Sequence, residues 1–91
     1  MSAICLHCVV TGKVQGVFFR REACEKGKSL QLTGWVKNRD DGDLELMICG
    51  DPQAVAEMET WLWEGPTAAK VKNVHTQAVS WQEYANFEVK Y

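Results

Sequence analysis

An alternating apolar run from Ile4 to Thr11 gives way to a helical pattern beginning near Phe19. The loop between them, Gly12-Lys13-Val14-Gln15-Gly16-Val17-Phe18-Phe19-Arg20, constrains the fold more than any other part of the chain. Glycine turns where bulkier residues cannot, so Gly12 and Gly16 allow a sharp reversal that directs successive N–H groups inward. A helix starting at Phe18 or Phe19 aims its free N–H groups and its positive dipole end at the same spot. Arg20 adds a full charge on a planar fork. Its charge-assisted bonds are worth about 1.5–3 kcal/mol each, against roughly 0.3–1 kcal/mol for the dipole, so Arg20 is expected to dominate anion binding. The candidate cradle is therefore the backbone of Gln15, Gly16, Val17, Phe18 and Phe19 together with Arg20. By spacing alone, a G-x-x-x-G turn before a helix is more often plain loop geometry. Neither common nucleotide motif applies, because the Lys-Ser/Thr pair of a phosphate-binding P-loop and the third glycine of a dinucleotide fingerprint are both missing.

The rest of the chain falls into order around this junction. The first strand carries Leu6, Cys8 and Val10 on one face and Cys5, His7, Val9 and Thr11 on the other. Phe19, Ala23, Gly27 and Leu30 recur at helical spacing, predicting a helix over Phe19 to Ser29. Gly34 to Asn38 reads as a second strand. Asp41-Gly42 is a hairpin signal leading into the alternation of Leu44, Leu46 and Ile48. Asp51-Pro52 supplies an N-cap acceptor followed by proline, and Val55, Met58 and Leu62 with Trp61 form an apolar stripe that Gly65-Pro66 ends. Lys70 to Trp81 reads as a fourth strand of poor alternation, and Phe87, Val89 and Tyr91 as a short last one. The order βαββαβ with a trailing strand predicts an α+β, ferredoxin-like fold: an antiparallel sheet with two helices on one face. In that topology the loop after the first strand and the end of the second share an edge, which brings Arg20 near Asn38.

Composition narrows the function classes. Ninety-one residues make one expected domain, 1–91, and 46% hydrophobic with 24% charged residues is ordinary globular usage. No apolar run spans a bilayer and no leader pattern opens the chain, so a cytoplasmic location without a membrane partner is expected. A net charge of −2 argues against a nucleic-acid partner. Four cysteines include Cys5-Leu6-His7-Cys8, but residues three apart on a strand face opposite ways and no second pair follows at zinc spacing, so no metal is expected. The topology instead sets the start of the first strand beside the end of the third. Side-chain parity then puts Cys5 and Cys49 on the same face, away from the helices, so a Cys5–Cys49 disulfide is expected. Two free thiols are the alternative that spacing leaves open. His7 and His75 read as isolated, and Trp35, Trp61, Trp63 and Trp81 as core and edge packing. Lys13, Arg21, Lys37 and Arg39 would either make the mouth of the cradle basic or lie solvated on the surface.

As a string, GKVQGVFFR (Gly12 to Arg20) resembles the signature of the acylphosphatases, small bacterial-type members included. The resemblance continues through GWVKN (Gly34 to Asn38), DGDLE (Asp41 to Glu45), Gly50, Gly65-Pro66 and FEVKY (Phe87 to Tyr91). It implies a monomeric enzyme without cofactors that hydrolyses the carboxyl-phosphate bond of small acyl phosphates. It also implies that Arg20 holds the phosphoryl group and Asn38 the attacking water. Arg39 departs from the pattern, in which threonine often follows the asparagine. Two alternatives stand beside this one. The first is a ligand- or RNA-binding βαββαβ module, which the acidic balance disfavours. The second is a carbamoyl-phosphate-handling domain like that of hydrogenase-maturation carbamoyltransferases, which a chain with nothing after Tyr91 disfavours.

Overall fold

The computed structural model describes residues 2–91. The elements are β1 (Ile4–Lys13), α1 (Phe19–Ser29), β2 (Thr33–Asn38), β3 (Leu44–Gly50), α2 (Pro52–Glu64), β4 (Lys70–Val79) and β5 (Phe87–Lys90). They form one sheet in the order β4-β1-β3-β2-β5. The first four of these strands pair antiparallel, as the ferredoxin-like pattern requires, whereas β5 adds parallel to β2 and makes the sheet mixed. α1 packs over β2 and β5, and α2 over β4 and β1. No helix among the described residues is long and apolar enough to cross a membrane.

Both helices cover one face of the sheet. Cys8, Val10, Leu44, Leu46 and Ile48 meet Phe19 and Ala23 of α1 and Val55, Met58 and Leu62 of α2 in the main core. Each such large aliphatic or aromatic side chain contributes about 1.5–3 kcal/mol by leaving water. α2 starts where Asp51-Pro52 predicts, with the Gln53 N–H donating to Asp51 Oδ1 at 2.8 Å. β4 stops at Val79 and not at the expected Trp81, because its register against β1 runs out at the pair Cys5–Val79. The tryptophans also differ from expectation. Trp63 and Trp81 are about half exposed, and Trp35 and Trp61 are half-buried. Trp63 follows Leu62 on α2, and a step of one residue rotates it about 100° off the buried stripe.

The opposite face carries a smaller cluster in which Cys5, Met47 and Cys49 pack with Trp35, Val79 and Tyr84. Cys5 and Cys49 are cross-strand partners, and the structure joins them by a disulfide with 4.1 Å between Cα atoms. Cys8 instead lies in the main core, where burial and then the charge of Glu59 push its thiol up to about 12. Cys5 and Cys8 thus face opposite sides of β1. Closing a loop with a sequence separation of 44 is worth up to about 4 kcal/mol in the chain-entropy view. Reduction is therefore expected to lower the urea midpoint, and non-reducing peptide maps of air-purified protein to contain the linked peptide. Free-thiol labelling of both Cys5 and Cys49 after oxidation would overturn the pairing.

Candidate active site

The loop after β1 is held by three apolar side chains driven inward. Val14, Val17 and Phe19 are buried in the core, while Gly16 and Phe18 lie outside it. Gly16 makes the turn at φ 73° with open space around it, so its conformation and not crowding calls for glycine. Gly12 has a different role from the one expected of it. It belongs to β1, at a bulge against β4, and a Cβ there would meet the Lys70 carbonyl oxygen and crowd the Lys72 nitrogen.

Phe18 caps α1 in the left-handed region, at φ 62° and ψ 19°. That conformation costs a bulky residue on the order of 1–3 kcal/mol and persists only where flanking structure imposes it. Here the buried Val17 and Phe19 impose it. No side chain caps the helix, in contrast to Asp51 on α2. The amides of Phe19, Arg20 and Arg21 have no intrahelical acceptor, so the positive end of α1 is left open for an anion.

Arg20 leaves the first turn of α1 with its guanidinium carbon 4.9 Å from the centre of the Tyr91 ring. The ion pairs among the described residues are His7–Glu45, Arg21–Glu25, Lys37–Glu45 and Arg39–Asp41, none of which involves Arg20. Its donors are therefore free of carboxylates. Asn38 closes β2, and its side-chain oxygen Oδ1 is buried with no hydrogen-bond partner. Such an orphan costs about 1–3 kcal/mol, which one ordered water or a ligand would recover. The β2–β5 register ends at Lys37–Lys90, which sets Asn38 and Tyr91 at the same edge of the sheet.

These groups share a cleft of about 280 Å³, walled by Gly16, Phe18, Phe19, Arg20, Asn38 and Tyr91 among others. Gln15 and Val17 lie outside that wall. Gln15 has a positioning role that its place in the loop did not reveal. Its Nε2 donates to the carbonyls of Arg39 at 2.8 Å and Asp43 at 3.1 Å, tying the loop to the β2–β3 turn beside Asn38. The only signal for this in the sequence was a side-chain amide with two donors. Arg39 serves the same turn through its backbone, while its side chain pairs with Asp41 at 3.1 Å.

Part of the basic set near the cleft has carboxylate partners. Lys37 lies 3.7 Å from Glu45, and Arg21 lies 3.9 Å from Glu25. His7, expected to be isolated, bonds Glu45 at 2.6 Å, because the two stand diagonally across the β1–β3 ladder. Burial tends to raise the Glu45 carboxyl, but the His7 hydrogen bond and the charges of Lys37, His7 and Arg39 outweigh it and hold it below the usual carboxylate value.

Known proteins match this chain in sequence and in fold. The acylphosphatase family model matches residues 6–89. An acylphosphatase of Coxiella burnetii is 48% identical over 94% of this chain and 90% of its own length. The solved structure of an acylphosphatase from that organism superposes with a TM-score of 0.94 at 46% identity, covering 97% of this chain and 93% of that one. The crystal structure of the Bacillus subtilis acylphosphatase also superposes with a TM-score of 0.94, at 30% identity over 97% of this chain and 99% of that one. Matched along nearly its whole length in both sequence and fold, this chain belongs to the acylphosphatase family, enzymes that hydrolyse acyl phosphates.

Proposed function

We propose that Arg20, with the backbone amides of Gly16, Phe18 and Phe19, holds the phosphoryl group of a small acyl phosphate while Asn38 holds the water that attacks it. One observation carries this reading. A guanidinium free of carboxylates, an uncapped helix N-terminus and a buried amide oxygen without a partner, drawn from distant parts of the sequence, meet in one cleft. In the reaction the water oxygen bonds to phosphorus as the phosphorus–oxygen bond to the acyl group breaks. The bonding pair leaves on the carboxylate, and the water's proton passes to an oxygen of the phosphoryl group. The products are a carboxylate and inorganic phosphate. A carboxylate departs readily, so no strong acid is needed, and positioning with charge stabilisation carries the step.

A monomer working in the cytoplasm, without cofactor or nucleic acid, completes the reading; the net charge of −2 supports the last point. The test is phosphate release from benzoyl phosphate in buffer containing a chelator. Steady release with competitive inhibition by inorganic phosphate is expected, and no release from folded protein would reject the assignment.

A further inference from the structure

We propose that the groove along the exposed side of α1 is the acyl subsite of this enzyme and that it favours flat, uncharged acyl groups of about benzoyl size. The inference rests on the catalytic reading above and adds to it which substrates the enzyme prefers.

Phe18 and Arg21 line both the phosphate cleft and this groove, so the two adjoin. Asn38 lies on the other side, shared between the cleft and the hollow over the β2–β3 turn. In-line displacement sets the entering and leaving oxygens on opposite sides of phosphorus. With the water on Asn38, the departing carboxylate points away from the β2 end and toward Phe18. Beyond Phe18 the groove opens to about 550 Å³, against about 280 Å³ for the cleft, and it runs to Trp61 of α2. There is room in it for a group larger than the phosphate.

The lining selects by shape and polarity. Phe18 is 69% exposed, a large ring with little burial to justify it, held at the cleft mouth by its left-handed backbone. Trp61 is fixed edge-on against Phe19, with centroids 5.6 Å apart at 81°. The charges of Arg21 and Lys26 are matched by those of Glu22 and Glu25, so the groove offers no net attraction to an acyl group bearing a second carboxylate. Two aromatic surfaces in a charge-balanced groove suit an aryl or similarly flat apolar acyl group.

The test compares kcat/KM for benzoyl and acetyl phosphate in the wild-type protein, in Trp61→Ala and in Glu22→Trp, which fills the groove from an exposed position. Trp61→Ala is expected to lower the benzoyl value by roughly 3- to 10-fold, the range of one aromatic contact, and the acetyl value by less than about twofold. Inhibition by inorganic phosphate should be unchanged. Glu22→Trp should shift the ratio the same way, and it decides the matter if Trp61→Ala does not fold. Equal losses on both substrates, or no benzoyl loss in folded variants, would overturn the subsite while leaving the hydrolysis intact. Failure of the wild-type protein on both substrates would overturn the catalytic reading and the subsite together.

Discussion

Arg20→Gln is expected to abolish measurable hydrolysis of acyl phosphates and to remove inhibition by inorganic phosphate, with the fold intact. Arg20 supplies the one full charge in the cleft that no carboxylate within the described residues neutralises. Two charge-assisted bonds from its fork, at about 1.5–3 kcal/mol each, amount to roughly 10²- to 10⁴-fold in transition-state stabilisation. Stability should change little. The substitution removes a stack of the guanidinium on Tyr91, which is 99% exposed, and such a stack is worth about 0.5–1 kcal/mol. Arg20→Lys should recover only part of the activity, because an ammonium restores the charge without the planar fork. Inhibition by phosphate that is unchanged in a folded, inactive Arg20→Gln protein would show that the anion is held elsewhere.

The parts of this molecule legible in its sequence are those governed by local chemistry or by parity. Asp51-Pro52 and Gly65 bound α2 because capping is decided within one turn of helix. The facing of Cys5 and Cys49 followed once β1 and β3 were neighbours, since a strand alternates strictly and one register satisfies the apolar side chains on the helix face. What escaped depends on partners far apart in the chain. The parallel pairing of β5 is set by the open edge of β2, not by anything in the four residues of β5 themselves. The His7–Glu45 bond needs the diagonal of a ladder, and the reach of Gln15 to the carbonyls of Arg39 and Asp43 needs the β2–β3 turn in place. Phe18 escaped for a different reason. Propensity argues against a bulky residue at positive φ, and only the burial of the residues on either side overrules it.

Asn38→Ala should separate function from stability in opposite directions. Turnover is expected to fall by roughly 10²- to 10³-fold, the usual size of removing one preorganised group at the reacting centre, with the effect in kcat and not in KM. Inorganic phosphate should inhibit the variant as well as it inhibits the parent, because Arg20 and the end of α1 remain. The variant should also be more stable than the parent. The Oδ1 of Asn38 is buried without a partner, and removing such an orphan returns about 1 kcal/mol or more, which in a domain of this size is roughly 4–8 °C in Tm. In the proposed mechanism, a polar atom kept at that cost is retained for the water it would hold during the reaction. Paired measurements of kcat and Tm decide the point: near-normal turnover would reject the role given to Asn38, and a marked fall in Tm would mean that its side chain supports the sheet edge instead of waiting for a ligand.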